Sequence, residues 1–196
     1  TITLITPATP TEAVAFYRDY LNSLQHVARY NPLDIDAQLR VVEELFRAAY
    51  VTSDKGYWNQ VLFSAEKSLE RILPSDPRRH ELLLYSAIAT LHLDQDLLTD
   101  EYDDDGRTRF PGEDLIEEVL EDDPYNAVAW ATLAYGRIAV YHRLLNEGRT
   151  QQAAQSRSFA DETLIEAIEI ASGGFDIAET QLREMNLRHI KISKQF

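Results

Sequence analysis

Apolar residues recur along the chain at three- and four-residue steps in seven successive stretches, each closed by proline, glycine or a cluster of turn residues, with a last, irregular one after them. Val14, Tyr17, Leu21, Leu24 and Ala28 mark the first stretch. Thr9, Pro10 and Glu12 ahead of it make a capping-box signal, predicting a helix from about Pro10 to Tyr30 that Asn31-Pro32 ends. A second helix, capped by Asp34 or Asp36, carries Leu39, Val42, Leu45, Phe46 and Ala49 inward. Ser53 or Asp54 opens a third, with Trp58, Val61, Leu62, Ala65, Leu69 and Ile72 on its inner face. Leu73-Pro74-Ser75-Asp76-Pro77 stops it, and Pro77 starts a fourth through Leu83, Leu84, Ala87, Ile88 and Leu91 to about Leu97.

Residues 98–111, with Asp103-Asp104-Asp105-Gly106 and Phe110-Pro111-Gly112, read as an exposed loop. A fifth helix, about Glu113 to Asp122, buries Leu115, Ile116, Val119 and Leu120. Asp123-Pro124 breaks the chain and Asn126 caps a sixth, whose inner stripe is Ala127, Trp130, Leu133, Ala134, Ile138, Tyr141 and Leu145, ending at Asn146-Glu147-Gly148. A seventh, Thr150 to about Ala171, buries Ala153, Phe159, Ala160, Leu164, Ala167 and Ile170. An eighth, about Asp176 to Lys191, follows Ser172-Gly173-Gly174 and ends basic. Short joins make neighbouring helices antiparallel. The fold class is therefore all-α: an arm or linker over residues 1–10, then one helical domain over 11–196.

Pro124, then Asn126-Ala127-Val128-Ala129-Trp130 and Leu133-Ala134, resembles the join between two tetratricopeptide (TPR) repeats. Ala65, Leu69, Ile72 and Pro77 repeat the spacing of the family's second helix and exit, Ile116 and Val119 match it before Pro124, and Ala160, Leu164 and Ala167 match it again. Gly112, Ser86 and Arg137 depart from the pattern, and two units carry insertions of about a dozen residues relative to the 34-residue period. The resemblance implies antiparallel hairpins stacked as a TPR-like solenoid of about eight helices, with three repeat pairs over residues 35–171 and a capping helix at either end. It implies a non-enzymatic scaffold or adaptor that holds a peptide or protein surface in a groove lined by the first helix of each pair. Arg40, Glu44, Arg47, Tyr85, Thr90, Asn126, Tyr135 and Arg137 are the positions it nominates. Self-association into a homo-oligomer is a second outcome it allows.

Charge narrows the partner. The formal net charge is −14, and residues 94–123 hold fourteen Asp and Glu against two Arg. Nucleic acid, which needs basic surface, is not expected; a basic peptide or a cation is. Glu101, Asp103 and Asp105 alternate before Gly106 as in a calcium loop, with Glu113 one residue late for the closing ligand. That supports an alternative reading as a cation- or ligand-responsive regulatory domain acting through residues 100–113. Paired carboxylates (Glu43-Glu44, Glu117-Glu118) lie on polar faces, the five histidines lack ligand spacing, and no nucleophile or phosphate-loop motif occurs, so no catalytic residue or cofactor is nominated. There are no cysteines and no apolar run long enough to span a bilayer. A chain opening at Thr1 with Met185 as its one methionine reads as processed or trimmed. A cytoplasmic location is the working expectation, with a removed targeting segment left open.

Overall fold

The structure, a computed structural model, describes residues 10–93 and 108–172. The arm before Pro10, the Thr9 cap, most of the acidic loop and the eighth helix lie outside the described residues. The seven helices described are α1 (Pro10–Tyr30), α2 (Ile35–Thr52), α3 (Lys55–Leu69), α4 (Arg78–Leu93), α5 (Glu113–Asp122), α6 (Ala127–Asn146) and α7 (Thr150–Ala171). The described fold is all-helical. It divides into two compact units, Thr1–Leu93 and Asp94–Phe196.

In the first unit the turns are built from the residues that signal them. Asp34 caps α2 by accepting the Ala37 N–H at 3.0 Å, and Asp54 caps α3 by accepting the Gly56 N–H at 2.7 Å. Ser53, between them, takes the left-handed conformation (φ 54°) and donates its N–H to the Ala49 carbonyl at 2.8 Å, closing α2 in two residues. α4 begins at Arg78, one residue beyond the expected Pro77, because Asp76 accepts the Arg78 N–H at 3.0 Å. The Arg78 guanidinium also donates to Asp76 and to Asp36 in the first turn of α2, each at 2.6 Å. That pair of bonds sets the N-termini of α2 and α4 side by side, so the two helices run parallel with α3 reversed between them.

Val42, Leu45, Val61, Ala65, Leu82 and Ala89, all fully buried, are the centre of this core. Trp58, 3% exposed, stacks on His92 with ring centroids 4.1 Å apart, and Phe46 meets the edges of Trp58 and Tyr85. The expected stripes of α2 and α3 face inward, with Val41, Glu44 and Ala48 buried beside that of α2. α4 is covered more widely than expected: Leu82, Ser86 and Ala89 are buried along with Leu83, Leu84, Ala87 and Leu91, and Ile88 is only partly covered. The stripe of α1 is narrower: Leu21 and Ala28 are buried, but Val14 is 70% exposed. α1 packs chiefly on α2, and that neighbour covers too little of its circumference to include Val14.

In the second unit α6 and α7 form the main interface, and α5 packs on α6. α7 presents small residues at three- and four-residue steps, namely Ala153, Ser156, Ala160, Thr163 and Ala167. α6 answers with Ala129, Leu133, Gly136, Val140 and Leu144. The buried stripe of α6 is thus rotated from the expected one. Leu133 and Ala134 are buried in both, but Ala127, Trp130, Ile138 and Tyr141 are only partly covered, and Leu145 is 40% exposed. α6 is apolar around most of its circumference, so its buried face is set by its neighbours: the Phe110 ring lies on Gly136, and α7 packs along the helix. Trp130 instead lies over the turn, its indole N–H donating to the Pro124 carbonyl at 2.8 Å.

Candidate functional site

The positions nominated by the TPR resemblance take different fates in the structure. Arg40 and Arg47 on α2 are exposed. Glu44 is 8% exposed and fully engaged: the Tyr17 hydroxyl lies 3.0 Å from both its Oε2 and its main-chain oxygen, and Arg47 Nη1 donates to Oε1 at 2.9 Å. Burial, together with the hydrogen bond to Glu44, pushes the Tyr17 hydroxyl up to about 12. Tyr85 is half-buried against Phe46, and burial followed by the charges of Glu43 and Glu81 raises its pKa. Thr90 is half-buried. In the second unit Tyr135 is 48% exposed. Asn126 is the cap of α6, accepting the Ala129 N–H at 3.0 Å.

Arg137 is engaged by two neighbouring elements. Its Nη2 and Nε donate to Glu113 Oε1 at 3.0 and 3.2 Å, and its Nη1 donates to Thr163 Oγ1 at 2.6 Å. Glu113 Oε2 accepts the Phe110 N–H at 3.2 Å. Side-chain exposure is 6% for Glu113 and 15% for Arg137, so this is a buried ion pair that ties the start of α5 to α6 and α7. Both carboxylate oxygens of Glu113 are committed to protein donors, and ligating a cation would break the pair. Glu101, Asp103 and Asp105, its proposed companions, lie outside the described residues. Among the described residues no cluster of three or more His, Asp or Glu could hold a metal ion.

A concavity of the first unit lies elsewhere, between α1 and α3 over α2. Its volume is about 600 Å³. α1 and α3 both flank α2 and run in the same direction, which leaves a trough between them. Ala28 and Val41, 4% and 5% exposed, lie at its base, and Phe63, 63% exposed, stands on its α3 wall. Amide side chains line the middle. Gln25 Nε2 donates to Gln60 Oε1 at 3.1 Å, a bridge from α1 to α3, and Gln38 Nε2 donates to the Ala28 carbonyl at 2.7 Å. Asn59 completes the set.

Arg29, Lys67 and Arg71 stand together at the end where α1 and α3 finish. Lys67 pairs with Glu70, its Nζ 2.8 Å from Oε2, and this holds the Glu70 carboxyl below its ordinary range. Arg29 and Arg71 form no ion pair among the described residues. No carboxylate lines the trough. Across the Gln25–Gln60 bridge lies a second hollow of about 330 Å³, bounded by Arg18, Asn22, Asp54, Gly56 and Tyr57, so a carboxylate does line that one.

None of these residues was singled out from the sequence. A signal existed on α3, where Asn59, Phe63 and Lys67 follow at four-residue steps on the side away from the buried stripe. It set one large aromatic among polar side chains on an exposed face.

Comparison with family models, with curated proteins and with solved structures gives no match. Function is argued from the chain's own geometry. Among the described residues no helix is long and apolar enough to cross a membrane.

Proposed function

We propose that this chain is a non-enzymatic protein-interaction module, a TPR-like scaffold or adaptor that holds a peptide or protein segment against its helical hairpins. The observation that carries the reading is the α1–α3 trough, which combines an apolar base with a rim of amide and cationic side chains. Recognition sites for peptides are built this way: apolar contact supplies affinity and a few placed polar groups fix orientation. The repeat reading draws support from the parallel α2 and α4 with α3 reversed between them, and from the α6–α7 hairpin opened by the Asn126 cap. Those are the pairings that stacked repeats use within each unit.

Arg40 and Arg47, exposed on the opposite side of α2 from Gln38 and Val41, remain the face the resemblance nominates. Selection of eight-residue peptides from a random display library against the purified protein tests the reading and separates the two faces. Enriched peptides are expected to compete with one another and to lose binding to Ser64→Trp, which fills the trough. No enrichment, or enriched peptides indifferent both to Ser64→Trp and to the double reversal Arg40→Glu, Arg47→Glu, would contradict it.

A further inference from the structure

The geometry points to an extended, acidic peptide segment of about six residues as the occupant of the α1–α3 trough, its carboxylates at the Arg29–Lys67–Arg71 end and its main chain along the amide-lined middle. This rests on the interaction reading above and goes further by naming the ligand's charge and conformation. Three features of the trough carry it.

Charge comes first. The chain as a whole is strongly acidic, at −14, yet this trough gathers three cations and no lining carboxylate. Arg29 and Arg71 have their guanidinium groups unspent on any ion pair among the described residues, and a forked donor of that kind matches a carboxylate. The net charge of the chain argues for a basic partner; the local charge of the trough argues for an acidic one. Recognition is decided at the contact surface, where charges within a Debye length of about 8–10 Å dominate.

The amides decide conformation. Gln25, Gln38, Asn59 and Gln60 each carry two N–H donors and an acceptor oxygen. Gln25 spends one donor on Gln60, Asn59 one on Lys55 and Gln38 its amide on Ala28 and Asn31, which among the described residues leaves a second N–H on Gln25 and Asn59 and both on Gln60. A helical ligand satisfies its own main-chain groups and gains little from such a row. An extended segment presents unpaired N–H and C=O groups alternately, which is what amide side chains complement. Phe63 and the base formed by Ala28 and Val41 then receive one or two apolar side chains of the ligand.

Length follows from the helices. From Asn59 to Arg71 the α3 wall of the trough covers about 18 Å at about 1.5 Å per residue, which accommodates about five to six extended residues at about 3.3 Å each.

The site also differs from the one the repeat resemblance nominates. It lies on the α1–α3 side of α2, against Gln38 and Val41, whereas Arg40, Glu44 and Arg47 occupy another face of that helix.

Fluorescence anisotropy with three labelled eight-residue peptides, carrying Glu, Gln or Lys at the same three positions, tests the inference on the full chain. The Glu peptide is expected to bind at least about tenfold tighter than the Gln peptide, with the Lys peptide weakest, and the gap should shrink as salt is raised. Arg29→Glu with Arg71→Glu should erase or invert that order, whereas Arg40→Glu with Arg47→Glu should leave it intact. Equal affinity for the Glu and Gln peptides, with both displaced by Ser64→Trp, would overturn the acidic ligand and leave the groove standing. Failure of all three peptides, with library-selected peptides unaffected by Ser64→Trp, would remove the groove as well. A single-stranded oligonucleotide of equal charge binding as tightly as the Glu peptide would overturn the peptide assignment. So would salt-sensitive dimers in sedimentation that Arg29→Glu with Arg71→Glu abolishes, since a second copy would then be the occupant.

Discussion

Glu113 and Arg137 sit where water is nearly excluded, and each is balanced chiefly by the other. Removing one partner strands a buried charge, so Arg137→Met should destabilise the second unit by about 3–5 kcal/mol. Glu113→Leu combined with Arg137→Met should recover much of that loss. Urea denaturation of the two single variants and the double one measures the coupling. His92 gives a second residue-scale prediction. Burial against Trp58 lowers its pKa from the ordinary 6.5, so between the lowered value and about 6.5 the unfolded chain binds a proton that the folded chain does not. Stability from this group is full above 6.5 and falls as pH drops through that window. With Trp130→Phe as background, Trp58 fluorescence should report a lower urea midpoint near pH 5.5 than near pH 7.5, and His92→Phe should narrow the difference.

At the scale of the element, turns and caps decide where helices begin. Asp34, Asp54 and Asn126 all accept main-chain N–H groups at helix starts, so Asn126→Ala should cost about 1 kcal/mol, read as a lowered thermal midpoint. The approach to α5 depends on a closer fit. Phe110, 3% exposed, lies on Gly136 so tightly that a Cβ there would stand 2.3 Å from the ring. Gly136→Ala should therefore cost about 1–3 kcal/mol with Phe110 in place and much less beside Phe110→Ala, a non-additivity that thermal melts can score.

Elements like these were legible because each start is written in one side chain and one proline or glycine. Faces were legible only where polar residues bracket the stripe. α2 and α3 satisfy that condition; α6 does not, since Trp130, Tyr141 and Leu145 compete with Gly136 and Val140, and partners distant in sequence, Phe110 and α7, choose between them. The repeat resemblance nominates Arg137 for a groove and the loop pattern nominates Glu113 for a cation, because sequence spacing does not show that residues 24 apart meet in a buried pair.

Over the whole molecule, the acid concentrated in residues 94–123 dominates the net charge and conceals a cationic trough in the first unit. The helical class could be read from period and composition. The trough could not, because it arises where α1 and α3 flank α2 without closing on each other, and its cations come from separate helices. Chemical-shift mapping by NMR with the Glu-bearing octapeptide tests the interaction reading most directly. The expected result is a set of shifted amides confined to Gln25, Ala28, Val41, Gln60, Phe63 and Lys67, absent in Ser64→Trp. Shifts centred on Arg40, Arg47 and Tyr85, or no shifts at saturating peptide, would contradict it.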